Sequence, residues 1–280
     1  MTTKLILLGT AGGPTPKIAR SAPAQVILVN GAAYVIDCGN GVARQLTLAG
    51  VPLVSIRAVF VTHHHSDHNA DYGNLLLLSW ATGLDHEVHT FGPPPLAHMG
   101  AKFLEMNQHD IDTRIADEGR PPLAPLIKIN EVTTGGLIYE DENIRVSTSL
   151  VVHPPLETAL AYRIDTPDRS IVISGDTAPS QNLIDLAQGA DVLVHECIHL
   201  PAVESMIESE SNATRLREHL VDSHTSSSDV GAIAERASVK TLVLSHLVPS
   251  DESVSAETWR QAAAANFSGE VIVGHDLLAL

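Results

Sequence analysis

The stretch VFVTHHHSDHNAD, residues 59–71, sets four histidines and two aspartates directly behind an apolar run. Any fold available to this chain must end a strand there and leave room for the imidazoles to converge on something. The run is internal, which excludes a purification tag. IRAVFVT before it reads as a buried strand, a short continuous block of β-branched and aromatic residues. Strand ends are where α/β proteins place their chemistry. Against the spacing His-x-His-x-Asp-His only one phase fits, namely His63, His65, Asp67 and His68, because a start at His64 requires histidine where Ser66 stands. An i, i+2 pair leaving a strand projects to one side, so His63 and His65 can share one metal. Asp67 and His68, in the following turn, are then free to hold a second. His64 points the other way and is read as structural.

Apolar β-like runs recur along the chain, among them KLILLG, AQVILV, AYVIDCG, IRVSTSLVVH, LAYRID, SIVISGD, VLVHEC, TLVLSH and EVIVGHD. Helical patterns lie between them, including GVARQLTLAG, DYGNLLLLSWATG, QNLIDLAQGA, SSDVGAIAERAS and ESVSAETWRQAAAANF. Early strands follow one another as hairpins do and later ones alternate with helices, which predicts an α/β chain of packed sheets flanked by helices. The 280 residues, 44% of them hydrophobic, can bury a sizeable core, and no linker or repeat divides residues 1–280 into more than one domain. The stretch from Pro93 to Pro125 reads as helix and loop over that core. The acidic segment AVESMIESESNATRLREHLVDSH reads as a solvated helical face, with a lid across residues 200–223 as the other reading. Tyr72, Trp80 and His86 are candidates for a pocket wall, though a Trp within LLLLSWATG also reads as core.

No apolar run reaches the roughly 20 residues of a membrane helix. Two cysteines, Cys38 and Cys197, make no disulfide framework, so a reducing cytoplasm is the expectation. The net charge is −16, and no run of Lys and Arg supplies a basic face. On that ground a nucleic-acid partner is read as unlikely.

Further signals fall at predicted strand ends: His153, Asp176, His195 with Glu196, His224 and His246. Imidazole and carboxylate are ligands that a borderline cation such as zinc accepts. In this order and context the motifs resemble the metallo-β-lactamase superfamily, and within it the tRNase Z-like and arylsulfatase-like branch. The resemblance runs from LLGTAGGPTPKIARSAPAQVILV through YVIDCGNGVARQL, VTHHHSDH and SGDTAPSQNLIDLAQGADVLVHE to HTSSSDVGAIAERASVKTLVLSHLVP. It implies a four-layer αβ/βα sandwich, a homodimer and a centre of two divalent metal ions, usually Zn(2+). By the same resemblance His63, His65 and His153 bind one ion, Asp67, His68 and His246 the other, and Asp176 bridges them. Asp67, His224 and Glu196 form the implied catalytic set. Two such cations lower the pKa of a water, giving hydroxide near neutral pH, and stabilise charge on the attacked centre. His224, held by Glu196, would donate a proton to the leaving oxygen. The bland reading of His195 and Glu196 is that they brace their strand.

The tRNA-processing members of this branch carry a flexible arm between the motifs placed here at His153 and Asp176. This chain has only HPPLETALAYRIDTPDRSIVISGD there, and its GPTPKIARSAPA loop resembles the arylsulfatase-like members better. The expected substrate is therefore a small-molecule ester, such as a phosphodiester, sulfate ester or lactone. tRNA 3′-processing is the runner-up, and a non-catalytic metal-containing binding protein the third reading.

Overall fold

Turn chemistry decides which strands pair antiparallel and which need a crossover. The computed structural model describes residues 2–208 and 214–280. One sheet holds β1 (Lys4–Gly9), β2 (Ala24–Val29), β3 (Ala32–Ile36), β4 (Ile56–Phe60), β5 (Val88–Gly92) and β6 (Ile127–Glu131), paired in that order. The second holds β7 (Gly136–Glu140), β8 (Arg145–Leu150), β9 (Leu160–Asp165), β10 (Ser170–Ile173), β11 (Val192–Ile198), β12 (Thr241–Val248) and β13 (Glu270–Val273), again in chain order. Between β2 and β3 stand only Asn30 and Gly31, at φ 53° and 84°. Positive φ at both centres gives the turn a twist that matches an antiparallel hairpin. Parallel pairing instead requires a helix to carry the chain back. Such crossovers are α1 (Val42–Leu48), α2 (Ser66–Asn69) with α3 (Tyr72–Ala81), and α4 (Leu96–Met106) with α5 (Gln108–Glu118) in the first half. In the second half they are α6 (Gln181–Leu186), α7 (Leu200–Glu208) with α8 (Leu216–Ser223) and α9 (Val230–Arg236), and α10 (Ala256–Ala264).

The sequence pattern suggested one progression from hairpins to alternation. The structure contains two. In each sheet the first strands are antiparallel, β1–β3 and β7–β10, and the last are parallel, β3–β6 and β10–β13. The halves stack sheet to sheet, giving the four-layer αβ/βα sandwich.

Three apolar layers follow from this. Between the sheets lie Leu7, Ile36, Phe60, Phe91, Tyr162, Ile173 and Val194, all buried. Outside the first sheet α1 and α3 cover Val26, Val35 and Val59. Outside the second, helix and loop residues such as Leu183, Ile233 and Trp259 cover Val172, Leu193 and Leu242. At the rim the sheets are tied by two hydrogen bonds. The Leu160 N–H donates to the Thr62 carbonyl at 2.9 Å, and the Tyr162 hydroxyl donates to the Val61 carbonyl at 2.7 Å. Both clamp the end of β4, where the histidine run begins. No described helix is long and apolar enough to cross a membrane.

The acidic segment is helical at both ends, α7 and α8, and residues 209–213, the middle of the lid reading, lie outside the described residues. Tyr72, Trp80 and His86 each find their partners inside the fold. Trp80 is fully buried with Ile111 and Leu123, and its indole N–H donates to the Pro121 carbonyl at 2.8 Å. The Tyr72 hydroxyl pairs with Thr90 at 2.9 Å, and the His86 ring bonds the Ile56 carbonyl at 3.0 Å. Helix α3 turns Tyr72 and Trp80 toward the first sheet and the α4–α5 pair, and His86 lies in the loop before β5.

Phe60 stacks on Phe91 at 5.3 Å between centroids and meets Tyr162 at 5.5 Å in the inter-sheet layer. Phe60→Ala should therefore lower the unfolding free energy by about 3–5 kcal/mol. Denaturant midpoints of the two proteins measure this, and a loss below about 1 kcal/mol would show that the sheets close over the gap.

Candidate metal centre

Between β4 and α2 the chain forms no helix or turn, His65 itself is extended, and alternate side chains part company. His63 and His65 turn inward, with ring centroids 4.8 Å apart. His64 turns outward, its Nε2 2.6 Å from the Pro93 carbonyl and its Nδ1 2.9 Å from the Asn69 amide. Helix α2 then starts at Ser66 and brings Asp67 and His68 round beneath the same point.

The other residues arrive from the second sheet. His153 follows β8, and Asp176 follows β10 after Gly175. That glycine stands at φ +59°, where a Cβ would lie 2.8 Å from the Leu160 carbonyl oxygen and 2.9 Å from the Thr62 Cβ. No other residue fits this turn without moving a strand. His246 comes from a bulge in β12. Glu196 of β11 pairs with Ser245 and Cys197 pairs with Leu247, leaving His246 unpaired at φ 46°. A bulge re-aims a side chain that regular pleating would bury elsewhere.

Asp176 is the common neighbour. Its Oδ2 lies 3.2 Å from His246 Nε2, 3.8 Å from His63 Nε2 and 3.9 Å from His153 Nε2. Its Oδ1 lies 3.3 Å from His68 Nε2. The ligand atoms of His63, His65, His153 and Asp176 fall within 4.8 Å of one another, as do those of Asp67, His68 and His246. A third grouping on the same criterion joins Asp176, His224 and His246.

The donor set suits cations. His63 Nε2, His68 Nε2 and Asp176 Oδ1 are buried with no hydrogen-bond partner among the described residues. His153 Nε2 and His65 Nδ1 face each other at 3.0 Å. Buried lone pairs left so are costly, and a divalent ion is the partner that satisfies several at once. The opposite ring nitrogens are occupied, which fixes how each ring points. His68 Nδ1 meets Asp37 Oδ2 at 2.8 Å, His63 Nδ1 meets the Thr62 hydroxyl at 3.0 Å, and His153 Nδ1 meets the Ser223 carbonyl at 2.9 Å. Burial pushes the His153 pKa down to about 4 and holds His63 well below its ordinary value. Both are therefore neutral, as a metal ligand must be. Burial also pushes His68 down, but Asp176, Asp37 and Asp67 together hold it well above the ordinary value. The same negative field attracts a divalent cation.

Beside this cluster stands His224, whose Nδ1 lies 3.2 Å from Glu196 Oε1. That oxygen also accepts from the backbone N–H of Thr177 at 3.2 Å and of Thr225 at 2.9 Å. Burial disfavours the charged imidazole, yet the Glu196 carboxylate lifts His224 to about 9. His195 is fully buried, with Nδ1 2.7 Å from the Glu196 carbonyl, and stays inside the sheet.

A cavity of about 430 Å³ opens over Asp67, Asp176, His224 and His246, walled by the Gly12–Lys17 loop and by Leu216, His219 and Leu220 of α8. A second cleft of about 310 Å³ shares the loop and Asp67 with it and is lined by Lys17, Arg20 and Arg44.

Several residues of the site escaped the sequence reading, Lys17, Arg20 and Arg44 of the cleft among them. Asp37 braces His68 from the end of β3, where the only signal was a carboxylate closing an apolar run. His219 has its ring centroid 5.7 Å from His65 and 5.8 Å from His224, and its signal was a third histidine five positions before His224.

A family model described as the metallo-beta-lactamase superfamily matches residues 21–246. The chain belongs to that superfamily of metal-dependent hydrolases. Among its relatives is a "Ribonuclease Z" of Mycobacterium bovis, 34% identical over 277 residues, covering 98% of this chain and 96% of that one. Another "Ribonuclease Z", from Mycolicibacterium paratuberculosis, is 32% identical over 277 residues, with the same 98% and 96% coverage. Solved structures share the fold. The metallo-beta-lactamase fold protein YhfI of Bacillus subtilis has a TM-score of 0.72 at 21% identity, covering 99% of this chain and 98% of that one. The short form of human tRNase Z has a TM-score of 0.71 at 20% identity, with the same 99% and 98% coverage.

These relatives overturn two expectations from the sequence, that the substrate is a small-molecule ester and that a nucleic-acid partner is unlikely. The charge argument failed because net charge averages the whole surface. Much of the acid sits away from the site, as in α5 with Asp110, Asp112, Asp117 and Glu118, while Lys17, Arg20 and Arg44 gather beside the metal cluster. The missing arm is real: β9 and β10 form a plain antiparallel pair. Its absence does not outweigh likeness along nearly the whole chain.

Asp37→Ala should free the His68 ring and weaken metal binding by about 10- to 100-fold. Competition with a chromogenic chelator measures this, and an unchanged affinity would show that His68 needs no brace.

Proposed function

We propose that this chain is an endoribonuclease of the tRNase Z type, hydrolysing a phosphodiester to release the 3′ trailer of precursor tRNA. The likeness to ribonuclease Z relatives over nearly its full length carries this reading. The open cavity over the histidine cluster, beside a cation-lined cleft that shares its loop wall and Asp67, supports it. On this reading His63, His65 and His153 hold one divalent ion, Asp67, His68 and His246 hold a second, and Asp176 is shared. Zinc is the ion that suits an imidazole and carboxylate set best. When bound, such ions supply a water of lowered pKa and offset the charge of the attacked phosphate.

The chain's own groups then divide the work. Asp37, Thr62 and the Ser223 carbonyl fix the rings, so the site is organised before substrate arrives. Lys17, Arg20 and Arg44 offer positive charge to the phosphates flanking the scissile one. Arg20 is held in place, donating to the Thr10 hydroxyl at 2.7 Å and to the Gly274 carbonyl at 2.8 Å. His224 lines the cavity with Nδ1 turned to Glu196, which leaves Nε2 as the donor to the departing oxygen. Glu196, fixed by two backbone N–H groups, keeps that proton on the ring.

A precursor tRNA with a 3′ trailer, incubated with metal-loaded protein, should be cut at one site. Chelation should stop the reaction, and Asp176→Ala should lose metal and activity together. Intact precursor after long incubation with fully loaded protein, or random degradation in place of one cut, would refute the proposal.

The His224 role has its own test. His224→Ala should keep its metal content and cut about 10²–10⁴-fold more slowly. Replacing the leaving oxygen by bridging sulfur, which departs without a proton, should remove most of that deficit. An equal deficit for oxygen and sulfur would make His224 a positioning residue only.

A further inference from the structure

Behind the metal cluster, between the two sheets, lies a small cavity of about 20 Å³ whose wall includes Gln25, Asp37, Ser174, Glu196 and Ser245. All five are buried, at no more than 4% exposure. Of the wall atoms with no hydrogen-bond partner among the described residues, His68 Nε2 and Asp176 Oδ1 belong to the candidate metal cluster, and three more are Gln25 Oε1, Glu196 Oε2 and Ser245 Oγ. The other polar groups there are already engaged. Ser174 donates to the Gly175 carbonyl at 2.6 Å and accepts from the Glu196 N–H at 3.1 Å. Asp37 takes the Thr62 N–H at 2.8 Å on one oxygen and His68 at 2.8 Å on the other. His246 Nδ1 also lacks a partner, but it faces Gly12, whose Cβ would come within 2.9 Å of it.

The three unmet groups come from different places. Gln25 belongs to β2 of the first sheet, while Glu196 and Ser245 are cross-strand neighbours on β11 and β12 of the second. None reaches another directly. Glu196 is the most demanding, because Oε1 accepts three hydrogen bonds and Oε2 accepts none. A buried carboxylate oxygen without a donor is costly.

We propose that one buried water occupies this cavity, bound by Gln25, Ser245 and Glu196, and that Gln25 and Ser245 are thereby positioning residues for the Glu196–His224 pair. The hydrogen-bond count closes. The water donates one hydrogen to Glu196 Oε2 and the other to Gln25 Oε1, and accepts the Ser245 hydroxyl. Three partners is the usual number for an interior water, and about 20 Å³ holds one molecule. With both oxygens engaged the Glu196 carboxylate cannot rotate, and Oε1 stays on His224. The positioning role rests on the proton-donor reading of His224, whereas the water site does not.

Diffraction at high resolution from metal-loaded crystals tests the site whether or not RNA is the substrate. One peak should lie about 2.7–3.1 Å from all three atoms. It should be lost or displaced in Ser245→Ala, with the Glu196 carboxylate turned away from His224. No peak in the wild type, or ligand distances near 2.4 Å that mark a bound cation, would overturn the water. So would an unchanged peak and carboxylate in Ser245→Ala. Kinetics test the positioning role. Ser245→Ala and Gln25→Met should each lower kcat about fivefold, the scale of one hydrogen bond, with KM and metal content unchanged. Bridging sulfur at the leaving position should restore most of the loss. A fall in metal content, or an equal deficit for oxygen and sulfur, would reduce both residues to structural ones.

Discussion

Asp176 is the interaction on which the rest depends. A carboxylate at 3% exposure would be expelled from most interiors, yet here His63, His68, His153 and His246 all lie within 4 Å of it. The charge stays because the surroundings favour it: burial alone would raise its pKa, but the neighbouring imidazoles hold it well below the carboxylate range. One carboxylate close to imidazoles from both halves of the chain fixes how far apart they stand. It also means the two sheets must meet in one register, since His63 and His68 belong to one half and His153 and His246 to the other. The rim bonds from Leu160 to Thr62 and from Tyr162 to Val61 hold that register.

The site also shows where backbone strain is spent. Regular strands would carry His246 and Asp176 past the cluster. Instead β12 bulges at His246 with φ 46°, and Gly175 turns at φ +59° just before Asp176. Asp37, which braces His68, stands at φ 60° at the end of β3. Positive φ for a non-glycine residue is disfavoured and persists where neighbours over-determine it. Two such points, Asp37 and His246, aim side chains at one cluster, and the Gly175 turn adds Asp176, so the rim is organised for ligands rather than for sheet regularity.

Charge reads differently at two scales. Over the whole chain 33 acidic residues outnumber 17 basic ones, and that balance argued against RNA. A field is felt locally, within about 8–10 Å at ordinary salt. Among the cations near the histidines are Lys17, Arg20 and Arg44, and any bound metal adds to them. The acidic surplus on α5 lines neither cavity beside the cluster and favours solubility.

Much was legible in the sequence. The His-x-His-x-Asp-His phase could be read because Ser66 stands where a start at His64 would need a histidine, and alternation along an extended chain set His64 apart from its neighbours. The strand and helix runs were legible for the same reason, since hydrophobic periodicity is a local property. So was the place of Asp176 just beyond β10. Other features were decided only by tertiary structure. Each sheet repeats the hairpin-then-crossover pattern, because pairing partners are chosen by packing and not by any one segment. Asp37 and His219 became site residues only when distant strands and α8 closed round the cluster, and Trp80 became core because α3 faces the first sheet. A sequence carries what each residue can do within its own few neighbours. Which far-off groups share a cavity depends on the sheets stacking in one register, and only the folded chain contains that information.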